Sequence, residues 1–139
     1  MALVHEFAIL DNNSDEYFIS SNTEKVDVPD ELIRYLNDSL EWIYFVWNGS
    51  ERNKGLSYYG FSIIEGNEIE KFIKIIGAWK ELFECAPHNF LLHGDYLLDE
   101  DTYEKNKFEK NEVIDLFNSL LLLCRKAQNQ NARIIHNGI

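Results

Sequence analysis

Apolar residues recur at three- and four-residue steps in three stretches of the chain, which predicts three amphipathic helices. The first covers residues 29–47, with Pro29 in its first turn. The second covers residues 67–86, where Asn67 and Glu70 resemble a capping pair. The third covers about residues 109–128. Each stripe needs an apolar surface to pack against.

Shorter segments alternate apolar and polar residues and are predicted as strands. They are Leu3–Leu10, Tyr17–Ile19, Tyr59–Ile63, Phe90–Leu98, Tyr103–Phe108 and Arg133–Ile139. The turn-forming residues of Asp11–Asp15 join the first two strands in a hairpin, and those of Asp99–Asp101 join the fourth and fifth. The polar segments 20–27 and 48–55 are predicted as loops. The predicted order is β-β-α-β-α-β-β-α-β.

This order predicts one α+β domain over residues 1–139, with a single, mainly antiparallel sheet packed with about three helices. A chain of 139 residues buries enough surface for a core without disulfides or metal. Cys85 and Cys124 lie in helical segments and are expected to be buried free thiols. The tryptophans fall on predicted helices and are expected in the core: Trp42, Trp47 and Trp79.

The charge balance changes the range of possible partners. The chain has 13 Lys and Arg against 24 Asp and Glu, a net charge of −11. A nucleic-acid or anionic-lipid surface favours basic proteins, so neither is expected as a direct partner. The segment Met1–Glu6 has no secretory pattern, and the longest apolar run, Leu120–Cys124, is too short for a membrane span. We therefore expect a cytoplasmic protein.

Motifs for cofactors and catalysis are weak. No phosphate-binding loop, dinucleotide fingerprint or EF-hand loop is present, so no cofactor is expected. Cys85 and His88 have metal-ligand spacing, and His93 and Asp95 follow closely, but a second pair of zinc-type ligands is missing. Cys85 also lies near a helix C-terminus, the wrong end for an activated thiolate. We predict neither a metal site nor catalysis, with a Cys/His-dependent enzyme as an alternative.

Acidic residues concentrate in two blocks. Residues 1–40 hold nine acids and two bases, and residues 95–115 hold eight acids and three bases. A solvated face is the simpler interpretation, and a surface that attracts a basic partner is the functional one. Tyrosines beside the acids suit an interface. The candidate partner-binding residues are Asp95, Tyr96, Asp99, Glu100, Asp101, Tyr103 and Glu104, with Asp11, Asp15 and Glu16 as a second patch.

The chain resembles the small acidic immunity proteins that bacteria encode beside polymorphic toxins, including contact-dependent growth-inhibition systems. The resemblance lies in size, acidity and layout. Locally, it lies in Tyr59–Ile64 before a helix, in Tyr103–Phe108 before the helix of Glu112–Ile114, and in the tail Ile134–Ile139.

The resemblance implies a function that is not enzymatic: binding one cognate toxin domain and neutralising it. A nuclease toxin needs a basic cleft for phosphate, which an acidic protein can fill or cover. The expected partner is therefore a basic toxin domain, and the protein itself is expected to be a monomer or weak dimer. A small acidic adaptor or regulatory domain is the alternative from another class.

Overall fold

A computed structural model describes residues 3–14, 17, 19 and 23–139. These residues form three helices and eight strands, so the predicted α+β class is confirmed. The helices are α1 (Asp30–Leu40), α2 (Asn67–Glu84) and α3 (Lys110–Asn129). The strands are β1 (Val4–Leu10), β2 (Lys25–Pro29), β3 (Tyr44–Trp47), β4 (Glu51–Lys54), β5 (Phe61–Ile64), β6 (Asn89–Leu97), β7 (Thr102–Glu109) and β8 (Arg133–Asn137).

Six strands form one antiparallel sheet in the order β2-β1-β8-β5-β3-β4. The C-terminal strand β8 lies between β1 and β5, which joins the two ends of the chain in the middle of the sheet. Strands β6 and β7 pair only with each other in the described chain, and form a separate hairpin. The expectation that all strands share one sheet is therefore wrong.

The sheet has two unequal faces because side chains alternate along each strand. Phe7 and Ile134 lie on the face that packs against the helices, within the main core. Ala8 and Ile135 lie on the opposite face, in a smaller apolar cluster that Tyr17 and Ile19 partly cover. Both faces are therefore apolar near the centre of the sheet.

The partner of β1 differs from the prediction. Tyr17 and Ile19 are not in a strand, and Phe18 lies outside the described residues. Residues 25–29, predicted mostly as loop, pair with β1 instead, with Val4 opposite Pro29. The valines of β2 alternate with Lys25 and Asp27, a pattern that suits an edge strand with one buried face.

The first helix is shorter than predicted. It ends at Leu40, and the rest of the predicted helix turns back as β3, which pairs with β4 in a segment predicted as loop. Asn48 and Gly49 connect the two strands with positive φ values of 50° and 89°. Two successive positive φ values are typical of the tight turn of a β-hairpin, for which Asn-Gly is a favoured pair.

Several side-chain placements also differ. Trp42 is 67% exposed in the turn after α1, and Trp47 is part-buried on β3 rather than on a helix. Trp79 is part-buried on α2, as its helical position predicts. Cys124 is buried as expected, but Cys85 is exposed because it follows the last turn of α2.

The starts of the helices follow partly from the sequence. Pro29 directly precedes α1, and Asp30 and Glu31 occupy its first turn, where acids favour the helix dipole. The predicted capping pair at α2 is wrong: Gly66 is the N-cap, and no side chain caps the helix there. Gly66 takes a positive φ of 59°, which glycine adopts without strain.

Candidate functional site

The turn of the β6–β7 hairpin carries three consecutive acids, Asp99, Glu100 and Asp101, and all three are exposed. The Glu100 N–H donates to the Leu97 carbonyl at 3.2 Å, which closes the turn. Tyr96 donates its hydroxyl hydrogen to the Asp101 carboxylate. We call Leu98–Asp101 the hairpin tip. It presents three carboxylates that solvent or a partner can reach.

The outer face of the hairpin adds apolar and aromatic surface beside the tip. Tyr96 and Tyr103 lie opposite each other with ring centroids 5.1 Å apart, and His93 makes an edge contact with Tyr103. Both tyrosines are exposed, and Leu98 is 85% exposed. Exposed tyrosines next to accessible charges are common in protein interfaces.

The middle of the hairpin is a different electrostatic environment from the tip. A bulge places Gly94 and Asp95 opposite the single residue Glu104. A Cβ atom at Gly94 would lie 2.6 Å from the Glu104 carboxylate, so a larger residue there would displace the Glu104 side chain. Arg34 of α1 donates to Asp95 at 3.0 Å and to Glu104 at 3.2 Å.

These ion pairs divide the predicted acidic patch. Arg34 also donates through Nε to Asp30 at 3.1 Å. Burial alone would lower the pKa of Arg34. The hydrogen bond and charge of Glu104, together with the charges of Asp30 and Asp95, outweigh burial, so the pKa of Arg34 is raised. Asp95 and Glu104 thus attach the hairpin to α1. The carboxylates of the tip remain accessible to a partner.

The second predicted patch lies elsewhere. Asp11 follows the C-terminal end of β1, and its side chain accepts a hydrogen bond from the Asn13 N–H, as the predicted turn requires. Arg34 lies beyond the other end of β1, a strand of roughly 20 Å at 3.3 Å per residue. Asp15 and Glu16 lie outside the described residues.

The cysteine and histidine candidates do not converge. Cys85 contacts the Glu81 carbonyl, His88 lies 3.8 Å from the Glu109 carboxylate, and Asp95 binds Arg34. Within residues 3–14, 17, 19 and 23–139, no group of three or more His, Cys, Asp or Glu side chains could hold a metal ion.

A buried polar chain that the sequence analysis missed lies under the start of α1. His5 Nε2 lies 3.0 Å from Asp30, and His5 Nδ1 lies 2.8 Å from His136 Nε2. His136 Nδ1 makes a longer contact of 3.4 Å with the Ser62 hydroxyl. Tyr58 donates its hydroxyl hydrogen to the same oxygen of Asp30. We call these five residues the buried relay.

One set of proton positions satisfies the whole buried relay. The Ser57 N–H donates to Ser62 Oγ at 2.7 Å, so the Ser62 hydroxyl hydrogen is available for His136 Nδ1. His136 then donates from Nε2 to His5 Nδ1, and His5 donates from Nε2 to the Asp30 carboxylate. Every donor in this arrangement points toward Asp30.

Burial sets the charge state at one end of the buried relay, and hydrogen bonds and charge set it at the other. Burial, and then the neighbouring His5, lower the pKa of His136 to about 3, so its ring stays neutral. Burial raises the pKa of Asp30, but hydrogen bonds from Tyr58 and His5 and the charge of Arg34 outweigh burial and hold the pKa below its usual value. The buried relay thus has a neutral imidazole at His136 and, at its other end, an Asp30 carboxyl of lowered pKa beside the Arg34 guanidinium.

The buried relay resembles a serine–histidine–acid arrangement in its residue types, but access differs. Ser62, His5 and His136 have no exposed surface, so a substrate has no route to the hydroxyl in this conformation. Tyr58 lines a cleft of about 340 Å³ together with Arg34 and Asp95. What the buried relay does is connect β1, β5 and β8 to the start of α1.

Comparison with protein-family models, with curated proteins and with solved structures gave no match. In the part of the chain that the structure describes, none of the helices has the length and apolar character that crossing a membrane requires.

Proposed function

We propose that this protein is a cytoplasmic immunity protein that binds a basic toxin domain with its hairpin tip and neutralises it. The observation that supports the proposal is the placement of the exposed carboxylates of Asp99, Glu100 and Asp101 beside the exposed side chains of Tyr96 and Leu98. Carboxylates attract and orient a basic surface, while the aromatic and aliphatic groups add contact area.

The attachment of the hairpin supports this role. Arg34 binds both strands in the middle of the hairpin, and Phe90 and Phe108, near its base, pack against the main core. A recognition element that is already ordered loses little conformational entropy on binding. The carboxylates of the tip would occupy the phosphate subsites of a nuclease, or cover its basic cleft.

Charge reversal at the tip tests the proposal. The variant is Asp99→Lys with Glu100→Lys and Asp101→Lys, and the partner is the toxin domain encoded beside the gene for this protein. We expect loss of growth protection and a fall in the association rate of roughly tenfold or more at low salt. The rate difference should shrink at physiological ionic strength, where the Debye length is about 8 Å.

A matched control reverses three exposed acids elsewhere, one on each helix: Asp38, Glu81 and Asp115. It changes the net charge by the same amount and should retain protection. Equal protection by the tip variant would contradict the proposal. If the wild-type protein bound the toxin domain tightly but did not protect growth, the result would instead favour the adaptor function.

A further inference from the structure

An apolar groove with a basic end lies along α2 and shares no lining residue with the acidic hairpin tip. Its volume is about 380 Å³, and the turn after α1 forms one wall through Trp42. Along α2 the groove is lined by residues at helical spacing, which form one face of the helix. These are Lys71, Lys74, Ile75, Ala78, Trp79 and Leu82.

The apolar part of the groove is held in place by contacts beneath it. The Trp79 indole N–H donates to the Ser39 hydroxyl at 2.8 Å, which satisfies the polar atom of the indole inside the protein. Trp79 also packs against Tyr35 and Phe83. Trp42 and Leu82 remain 67% and 58% exposed. Large apolar side chains that are exposed together mark an interaction surface.

The basic end distinguishes this groove from the rest of the protein. Lys71 and Lys74 line it although the chain carries a net charge of −11. Lys71 lies 3.6 Å from Glu68 and donates to the Trp42 carbonyl at 3.2 Å, so it also holds the wall of the groove. Lys74 is exposed and, within the described residues, has no carboxylate within 4 Å. Its charge is available to a ligand.

The shape of the groove favours a helical ligand. From Lys71 to Leu82 the face of α2 extends about 16 Å, at 1.5 Å per residue, which matches roughly three turns of a second helix. Ala78 in the middle allows close approach, and the lysines lie toward one end. A helix laid in such a groove contacts it with residues at three- and four-residue spacing.

We propose that this groove binds an amphipathic α-helical segment of a partner protein, with leucine-type side chains over Trp42, Trp79 and Leu82 and carboxylates beside Lys71 and Lys74. The charge preference is opposite to that of the hairpin tip. The proposal does not rest on the immunity function, because it concerns a different surface.

Three synthetic peptides of roughly 15 residues test the charge preference. They share one leucine face and carry glutamate, glutamine or lysine at the flanking positions. Binding is followed by the anisotropy of labelled peptide and by the tryptophan emission of the protein. We expect the acidic peptide to bind roughly tenfold more tightly than the basic peptide, since two close charges change from attraction to repulsion.

The decisive variant is Lys71→Glu with Lys74→Glu, which should reverse the order so that the basic peptide binds best. Because Lys71 also holds the Trp42 turn, Lys74→Glu alone is a second variant and should shift the order in the same direction. Lys105→Glu with Lys107→Glu, on the hairpin, makes the same change in net charge and should leave the order unchanged. Trp42→Ala should weaken all three peptides.

Three results would overturn the proposal. The first is no binding of any peptide at about 1 mM. The second is an order of affinities that the groove variants do not alter. The third is concentration-dependent self-association of the free protein that Trp42→Ala abolishes, which would show that the groove binds a second copy of the chain.

Discussion

Arg34 donates hydrogen bonds to three carboxylates from different parts of the chain. They belong to Asp30 of its own helix, Asp95 of β6 and Glu104 of β7. One guanidinium group has enough donors for several acceptors in a fixed plane. The result is that acids close together in the sequence have different roles. Asp95 and Glu104 attach the hairpin, and Asp99–Asp101 remain accessible.

The neutral state of His136 predicts a pH dependence of stability. Its pKa is about 3 in the folded protein, below the ordinary value of 6.5 expected in the unfolded chain. As the pH falls below about 6.5, the unfolded chain therefore binds a proton that the folded protein does not. The free energy of unfolding should fall with pH at up to about 1.4 kcal/mol per unit. Asp30, with its lowered pKa, contributes only below its unfolded value of 3.8.

Urea unfolding between about pH 7 and pH 5 measures this slope. His136→Gln should be less stable than the wild type but should show a flatter slope, because the buried ring is gone. His88→Gln is the control: His88 is exposed, and its removal should leave the slope as it is. A wild-type stability that is constant over this range would contradict the neutral assignment.

The buried relay could not be predicted from the sequence. His5 and His136 are 131 positions apart, and each lies in an apolar strand with no local motif. They meet because β8 pairs with β1, so that His136 lies opposite Phe7. The local hydrophobic pattern indicates which residues are buried. The contact between His5 and His136, in contrast, depends on the order of the strands in the sheet. The tip acids, in contrast, were predictable because a tight turn is a local feature.

At the scale of elements, two glycines predict opposite responses to alanine. A Cβ atom at Gly138 would lie 2.0 Å from the Tyr58 carbonyl oxygen, so Gly138→Ala must separate the C-terminal tail from residues 57–60. This loses the hydrogen bond from the Gly138 N–H to the Gly60 carbonyl and destabilises the protein by about 1–3 kcal/mol. In α2, a Cβ atom at Gly77 meets no atom of the described residues within 4 Å. Gly77→Ala should therefore stabilise by about 1 kcal/mol.

Chemical denaturation of both variants under the same conditions checks the pair. The two substitutions add the same methyl group, so the comparison separates steric conflict from helix propensity. A neutral Gly138→Ala would mean that the tail has freedom to move away from Tyr58. A destabilising Gly77→Ala would mean that α2 packs more closely around Gly77 than the structure indicates.

The elements that the sequence predicts well are those with a long periodic pattern. The stripe from Ile69 to Phe83 gives α2 nearly to its ends. The error at α1 has a specific cause: Ile43 and Trp47 continue the helical spacing, although the chain leaves the helix at Leu40. Strand β4 has no apolar residue at all, and its pairing with β3 defines it.

At the scale of the molecule, one aromatic residue joins most layers of the fold. Phe83 of α2 contacts Tyr35 of α1, Trp79 of its own helix, Phe90 of β6 and Phe117 of α3. Its side chain lies in the same core that includes the central strands of the sheet. The hairpin therefore shares core contacts with all three helices, which predicts that it unfolds together with them.

Phe83→Ala tests this coupling. Removing a buried phenylalanine should lower the free energy of unfolding by about 3–5 kcal/mol, a large part of the stability of an ordinary domain. Far-UV circular dichroism and tryptophan fluorescence should still report one coincident transition, because every layer loses the same contact. Leu82→Ala is the matched control: Leu82 is the neighbouring residue and is exposed, so its truncation should change stability by less than about 0.5 kcal/mol.

Amide hydrogen exchange completes the test of coupling between the hairpin and the core. Amides of β6 and β7 that exchange well before those of α2 and α3 in the wild type would show that the hairpin opens as an independent unit and that Phe83 does not couple it to the core.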